Sequence, residues 1–144
     1  SPEELAIAGL FHDIGIEGVS DEINIFNYNQ LPADQKQKYI QHPTFSLNIL
    51  KEKRISISQK IADVIEKHHE RIDGKGFPKQ ILEHRIPAEA NLLAYADALE
   101  YLTRKDSAFG KMSLAQIHSK IDKELALHPE VLKKIGDFLL NASL

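Results

Sequence analysis

Apolar residues recur at the three-to-four-residue spacing of amphipathic helices along most of this chain of 144 residues. The clearest case is residues 59–70, where Ile61, Val64 and Ile65 form one apolar stripe and Ser58 is well placed as the N-cap. The same pattern predicts further helices over about 2–13, 32–40, a segment opened by Pro43, 87–103, 113–126 and 129–141. No alternating run is long enough to predict a strand. The sequence therefore predicts an all-α fold.

Two segments lack this periodicity. Residues 15–31 contain Gly18 and several Asn, Asp and Ser residues, and are predicted to be an irregular connection with at most one helical turn. Residues 72–78 form a glycine-rich turn that ends the helix before it. The helix over 87–103 is apolar on most of its sides, so we expect it at the centre of the fold.

Composition narrows the class of protein. With 42% apolar and 27% charged residues, the chain is typical of one soluble globular domain. It has no Cys, which excludes disulfide scaffolds and Cys-ligated zinc and fits a reducing compartment such as the cytoplasm. A net charge of −3 disfavours a nucleic-acid polymer as partner, and no apolar run reaches the ~18 residues that cross a bilayer. Because the chain begins at Ser1 without Met, we expect a fragment or a processed part of a longer protein.

Two adjacent histidines extend the apolar stripe of residues 59–70. His68 follows Ile61 at spacing i, i+7, and His69 follows it at i, i+8. Both imidazoles are therefore expected to face the core, where each needs a hydrogen-bond partner or a metal ion. Hydrogen-bonded core histidines are the structural alternative, but an adjacent inward-facing pair favours a metal.

Two aspartates and two further histidines strengthen the metal interpretation. Asp97 lies on the apolar helix 87–103, where an ionised carboxylate is costly unless it meets a cation or a metal. Asp13 presents the same problem, and its neighbour His12 adds an imidazole at the end of the first helix. His42 is ambiguous by itself, since it could simply cap a helix. Nitrogen and oxygen ligands without thiolate suit a histidine/carboxylate centre, and dinuclear centres of this kind catalyse hydrolysis.

The remaining imidazoles and charge clusters receive structural interpretations. His84 lies in a charged loop, His118 has polar neighbours, and His128 is at a helix entry. The charged clusters at 51–54 and 104–106 are predicted to be solvated surface.

The order of these motifs resembles the HD-GYP domain, a subgroup of the HD superfamily of metal-dependent phosphohydrolases. The resemblance covers residues 5–103 and rests on His-Asp-Ile-Gly from His12, on His42 before proline, on His-His-Glu-Arg-Ile-Asp-Gly-Lys-Gly-Phe-Pro at 68–78, and on the apolar run to Asp97. It implies an HD-superfamily helical bundle of about six to seven helices. It also implies two or three divalent metal ions, iron first and manganese second, and hydrolysis of the bacterial signalling molecule cyclic di-GMP.

Carried over by position, the resemblance gives each ligand candidate a role. The first metal would be bound by His12 and Asp97, the second by His42, His68 and His69, with Asp13 bridging the two ions. His12 and Asp13 would be the catalytic residues, and a bridging hydroxide would attack phosphorus in line.

The glycine-rich turn would contact substrate and partners. Gly74, Lys75 and Phe77 are the predicted substrate-binding residues, and Lys75 and Lys79 flank the turn at positions suited to an anionic ligand. In this family the turn is also associated with contacts to diguanylate cyclase domains. Loop 72–79 is therefore predicted to be a docking site.

The chain departs from the family pattern at several positions. Ile16 stands where the family has a Lys that meets substrate phosphate, and Phe77 stands in place of the tyrosine of the GYP triplet. Asp106 replaces a downstream Arg, with Arg104 and Lys105 close by. The family also has a metal-binding His on a helix upstream of the His-Asp pair, and we expect the chain to begin after it, without its N-terminal helix or helices and any upstream regulatory domain.

Three functions follow from these observations. The first is an unconventional HD-GYP phosphodiesterase that hydrolyses cyclic di-GMP. The second is a catalytically degenerate module that binds metal or nucleotide and acts as a sensor or interaction domain. The third is a phosphohydrolase of the wider HD superfamily with another nucleotide as substrate.

Overall fold

Six α-helices build the part of the chain that the computed structural model describes, residues 1–104 and 109–141. They are α1 (Pro2–Phe11), α2 (Ala33–Glu52), α3 (Gln59–Lys67), α4 (Ala88–Thr103), α5 (Leu114–Glu124) and α6 (Pro129–Asn141). Two short 3₁₀ turns lie at Tyr28–Gln30 and Glu83–Arg85. Over the described residues there is no strand, which confirms the predicted all-α helical fold. Asp106, the predicted departure from the family pattern, and Lys105 of the charged cluster 104–106 lie outside the described residues.

The helices begin where capping chemistry predicts. The Ser58 hydroxyl accepts a hydrogen bond from the Ile61 amide at 3.2 Å, and α1 begins with a capping box between Ser1 and Glu4. The ends differ from the prediction, because α1 stops at Phe11 and α3 at Lys67. His12 and His68 are consequently the C-cap residues of their helices.

The prediction of separate helices at 32–40 and from Pro43 is wrong, because α2 runs continuously through Pro43. Proline lacks the amide that would donate to the Tyr39 carbonyl one turn earlier. The imidazole of His42 contacts that carbonyl instead, with Nδ1 at 2.5 Å. The Tyr39 carbonyl, which lacks a backbone donor because of Pro43, is thus contacted by the side chain of His42, one of the candidate metal ligands.

Helix α4 is central, as its apolar character predicts. Leu93 packs in a cluster with residues of α1, α2 and α3, and Ala94 begins a second cluster with α5 and α6. The first cluster contains Ala8, Leu50, Ile61, Val64, Ile65 and Leu93. Since α4 joins both clusters, it fixes the position of Asp97 relative to the other helices. None of the described helices has the length and apolar character that a membrane span requires.

Candidate metal centre

The structure brings the six predicted ligand residues into one cluster. His12 and Asp13 follow α1, His42 lies in the middle of α2, His68 and His69 follow α3, and Asp97 lies on α4. The Nε2 atom of His12 is 3.1 Å from Asp13 Oδ2 and 3.3 Å from Asp97 Oδ1. His42 Nε2 is 3.2 Å from Asp13 Oδ1, and His69 Nε2 is 3.9 Å from Asp97 Oδ2.

Two overlapping triads within this cluster have the spacing of metal ligands. One consists of His42, His68 and His69, and the other of His12, Asp13 and His68, with the ligand atoms of each triad within 4.8 Å of one another. His68 belongs to both triads, which differs from its expected place at the second metal alone. The two triads therefore adjoin each other and have His68 in common.

Three of the four histidines are oriented in the same way. Nδ1 contacts a carbonyl three residues earlier in His12 (Gly9, 2.5 Å), His42 (Tyr39, 2.5 Å) and His68 (Ile65, 2.6 Å). A carbonyl can only accept, so Nδ1 carries the proton in each ring and the neutral tautomer leaves a lone pair on Nε2. Metal-ligating histidines are typically held by such a bond from the second ring nitrogen.

Five atoms of the candidate ligands lack hydrogen-bond partners. Asp13 Oδ1, the Nε2 atoms of His42 and His68, and both ring nitrogens of His69 are buried with no hydrogen-bond partner. His42 Nε2 and Asp13 Oδ1 lie close, but without the geometry of a hydrogen bond. Buried polar atoms are nearly always satisfied, and these five atoms converge from different elements. Their donor set fits divalent metal ions.

The charge around His12 also indicates that a cation fits this site. With its proton on Nδ1, Nε2 faces two carboxylates, and this is unfavourable unless a proton or a cation lies between them. Burial lowers the pKa of His12, but hydrogen bonds and charge from Asp13 and Asp97 outweigh it and raise that pKa to about 10. Burial also disfavours the charged form of Asp13, yet the contacts with His12 and His42 hold its pKa well below the ordinary value. The site thus favours carboxylates facing a positive charge.

The turn after α1 is fixed to α2 by a buried serine. Ser46 donates to the His12 carbonyl at 2.8 Å and accepts from the Gly15 amide at 2.9 Å. A Cβ at Gly15 would lie 2.4 Å from the Ser46 nitrogen, so only glycine permits this close approach. Ser46 was not among the predicted site residues, although its place four residues after His42 puts it on the same face of α2.

Two buried charged residues organise the loop after α3, and neither was assigned a role from the sequence. Glu70 accepts hydrogen bonds from the amides of Lys79 (2.7 Å) and Ile81 (3.2 Å). Arg71 donates to the carbonyls of His68 and Glu70, and burial lowers the pKa of its guanidinium. Their signals in the sequence were their adjacency to the histidine pair and their place in the motif at 68–78.

A cavity of about 430 Å³ borders the cluster. Asp13, Asp97 and Tyr39 form part of its wall, as does Ile16, the residue in place of the family lysine. Further lining residues are Ser20, Asp21, Ile23, Asn24, Ile25, Glu100, Tyr101 and Arg104. Metal ions in the cluster would therefore face a space that can hold part of a small molecule.

The three predicted substrate-binding residues occupy different environments. Lys75 is exposed, Gly74 has a left-handed backbone with φ +73°, and Phe77 is buried behind the histidines. Among the described residues that line the cavity, none of the three is found, so their contact with substrate stays a prediction.

The three histidines interpreted as structural lie outside the metal triads. The His84 side chain is exposed, and His128 contacts the Ile86 carbonyl and immediately precedes α6. His118 Nδ1 is 2.6 Å from the hydroxyl of buried Tyr95, so a buried aromatic ring lies beside it in addition to its polar sequence neighbours.

The chain is similar to several bacterial phosphodiesterases. It is 31% identical over 102 residues to a cyclic di-GMP phosphodiesterase of Thermotoga maritima, covering 71% of this chain and 27% of that protein. It is 30% identical over 105 residues to a cyclic di-GMP phosphodiesterase response regulator of Xanthomonas campestris, covering 71% and 28%. A 3'3'-cGAMP-specific phosphodiesterase of Vibrio cholerae is 26% identical over 133 residues, covering 92% and 25%. The chain thus spans about a quarter of the length of these relatives.

A family model described as HD domain matches residues 2–128. This range includes α1 to α5 and all six residues of the cluster. The His-Asp pair at the end of α1 is the feature that the superfamily name describes, and here it faces His42, His68 and the further aspartate Asp97. The match extends over most of the sequence, and the chain belongs to the HD domain family.

Proposed function

We propose that this domain is of the HD-GYP type and is a metal-dependent phosphodiesterase that hydrolyses cyclic di-GMP or a closely related cyclic dinucleotide. The observation that carries the proposal is the group of five buried, unpartnered ligand atoms from Asp13, His42, His68 and His69. The names of the relatives support the substrate class, since they include cyclic di-GMP and 3'3'-cGAMP phosphodiesterases. We propose iron as the first candidate metal and manganese as the second.

The charge of the cavity makes substrate binding depend on metal. Its described lining includes four carboxylates, Asp13, Asp21, Asp97 and Glu100, and one guanidinium, Arg104. Two hydrogen bonds of 2.7 and 2.8 Å join Arg104 to Glu100. An anionic phosphodiester would therefore be repelled unless bound cations reversed the local charge.

In the proposed mechanism, the histidines and aspartates of the cluster hold the metal ions, and the carboxylates balance part of their positive charge. Bound divalent ions would polarise a phosphoryl oxygen and lower the pKa of a water molecule to provide the nucleophile. His42 and His68 direct Nε2 toward the site because their Nδ1 protons are engaged by carbonyls. Asp13 Oδ1 and Oδ2 lie near His42 and His12 respectively, so its two oxygens reach both sides of the cluster.

Turnover of defined cyclic dinucleotides by metal-loaded protein tests this function. Protein loaded with Mn²⁺, or with Fe²⁺ under anaerobic conditions, is expected to hydrolyse cyclic di-GMP, with 3'3'-cGAMP and other nucleotides as a substrate panel. His69→Ala should reduce metal content and abolish hydrolysis. His84→Ala is the matched control, because His84 is exposed and outside the cluster. Full activity of His69→Ala would contradict the mechanism, and a preference for an unrelated nucleotide would favour the wider HD superfamily.

A second candidate function is a catalytically degenerate module that binds metal or nucleotide without turnover. It is favoured by Ile16 on the cavity wall, which leaves an apolar side chain where the family pattern has a lysine. Calorimetric titration of the Mn²⁺ form with cyclic di-GMP distinguishes the two. Binding without hydrolysis supports the degenerate module, and hydrolysis contradicts it.

We also propose that loop 72–79 docks a diguanylate cyclase domain. The loop exposes Asp73 and Lys75, so charged groups are available to a partner. Lys75→Glu should weaken binding of a purified diguanylate cyclase domain, while Lys133→Glu, at an exposed position of α6, should leave it unchanged. If both variants bound the diguanylate cyclase domain as tightly as the wild-type protein, the proposal that loop 72–79 is the docking surface would be contradicted.

A further inference from the structure

His69 is held differently from the other three histidines of the cluster. His12, His42 and His68 each direct Nδ1 at a carbonyl, whereas both ring nitrogens of His69 lack a hydrogen-bond partner. The side chain is nevertheless 1% exposed. Its orientation must therefore come from contacts of the ring with its neighbours.

The closest parallel contact is with Phe77. The two ring centroids are 4.6 Å apart with an interplanar angle of 24°, which is the geometry of an offset stack. The Phe77 amide also donates to the His69 carbonyl at 3.1 Å. The rings of His68, Tyr39 and His42 contact the same imidazole at larger angles, with centroids at 4.0, 5.7 and 4.9 Å, so Phe77 alone stacks on it among the described contacts.

The phenyl ring is itself held on several sides. Phe77 is 4% exposed and contacts the rings of Tyr28 at 5.1 Å and Tyr39 at 5.6 Å. The preceding Gly76 lies so close to the backbone of residues 69–71 that a Cβ there would be 2.4 Å from the His69 carbonyl oxygen. On the other side, the Glu70 carboxylate binds the amide of Lys79.

We propose that Phe77 is a positioning residue, whose stacked ring orients the His69 imidazole toward the metal cluster in place of a hydrogen bond. The inference rests on the metal centre of the proposed function. It explains why phenylalanine serves at a position where the family pattern has tyrosine, since stacking requires the ring and not the hydroxyl. Phe77 acts through His69 and need not contact the substrate.

Titration of the full chain with Co²⁺ tests the role directly. The visible d–d absorption reports the ligand geometry, and equilibrium dialysis gives the Co²⁺ bound per chain. Phe77→Leu keeps an apolar side chain but removes the stack, and it should alter the spectrum and weaken Co²⁺ binding about 10- to 100-fold, whereas Phe77→Tyr should bind within about twofold of wild type.

The control is Ile121→Val on α5, which trims a fully buried side chain of the other core cluster. It should lower thermal stability while leaving the Co²⁺ spectrum and affinity unchanged. Wild-type affinity and spectrum in Phe77→Leu would overturn the proposal, as would equal losses in Phe77→Tyr or Ile121→Val, or a wild-type chain that binds no Co²⁺.

Turnover is measured separately, so the two proposals fail in different ways. If Phe77→Leu weakens Co²⁺ binding as expected while the wild-type protein hydrolyses no cyclic dinucleotide, the inference stands and the proposed function is contradicted. If the wild-type protein hydrolyses cyclic di-GMP and Phe77→Leu binds Co²⁺ normally, the positioning role is contradicted alone.

Discussion

The Nε2 atom of His12 lies 3.3 Å from Oδ1 of Asp97, although 85 positions separate the two residues in the chain. The contact joins the end of α1 to the middle of α4. The second oxygen of the same carboxylate, Oδ2, lies 3.9 Å from Nε2 of His69. Asp97 therefore stands between the His-Asp pair and the histidine pair, and its charge serves both parts of the cluster.

Asp97→Asn should remove this charge while keeping the size of the side chain. We expect bound metal per chain to fall and hydrolysis of cyclic di-GMP to drop by at least ~100-fold, because loss of a ligand exceeds the effect of an outer-shell change. Elemental analysis and a turnover assay measure the two effects. Asp137→Asn is the matched control, since Asp137 is an exposed partner of Lys133 on α6. Unchanged metal content in Asp97→Asn would remove Asp97 from the ligand set.

Ser46→Ala should separate the His-Asp turn from α2. The hydroxyl satisfies both the Gly15 amide and the His12 carbonyl, and it is fully buried. Loss of a buried hydrogen-bonding group costs about 1–3 kcal/mol, so urea unfolding should show a decrease of this size in the free energy of unfolding. Ser119→Ala on α5, outside the cluster, should change it little. Equal stability of wild type and Ser46→Ala would mean that the turn does not need this anchor.

Much of this centre could be predicted from helical spacing. Ile61 with His68 and His69 places both imidazoles inward, and the two are 0% and 1% exposed. The apolar surroundings of Asp97 on α4 likewise indicated a place in the cluster, but the side chain is only partly buried because it also lines the cavity. Local periodicity and an uncompensated charge are properties of a short segment, so one sequence is enough to detect them.

The errors and omissions arise from contacts between segments. Pro43 predicted a helix break, but the His42 ring contacts the carbonyl that proline leaves without its amide donor, and α2 continues. Ser46 and Glu70 act on the backbone of other segments, which no periodic pattern records. The role of Phe77 depends on the distance between two rings, and that distance appears only in three dimensions.

Tyr95 should give the protein a measurable pH dependence in alkaline solution. Its hydroxyl lies 2.6 Å from His118 Nδ1, and burial raises the pKa of Tyr95 to about 12. Since the unfolded chain loses this proton near pH 10, the folded state holds more protons between pH 10 and 12. Stability should therefore decrease as pH rises in this window, by at most about 1.4 kcal/mol per pH unit from this group.

Tyr95→Phe isolates this contribution, because it removes the titrating hydroxyl and keeps the ring. Urea unfolding of both proteins from pH 8 to 12 should show a shallower decline for the variant above pH 10. Identical slopes would show that Tyr95 titrates alike in the folded and unfolded chains.

Glu70→Gln should loosen the loop that follows the histidine pair. The two carboxylate oxygens accept the amides of Lys79 and Ile81, and a glutamine offers one oxygen and an amino group that cannot accept. One buried amide would lose its partner at a cost of about 1–3 kcal/mol. Hydrogen–deuterium exchange should then be faster for the amides of residues 76–81 and unchanged in α5.

Glu66→Gln is the matched control for the same loop. Glu66 pairs at 2.6 Å with the exposed ammonium of Lys79, a surface contact worth at most about 1 kcal/mol. Exchange in residues 76–81 should therefore stay close to wild type in this variant. If both variants accelerated exchange equally, the loop would be held by the charge of Lys79 and not by the backbone contacts of Glu70. If only Glu70→Gln did so and also weakened Co²⁺ binding, the backbone contacts of Glu70 would support the metal cluster as well as the loop.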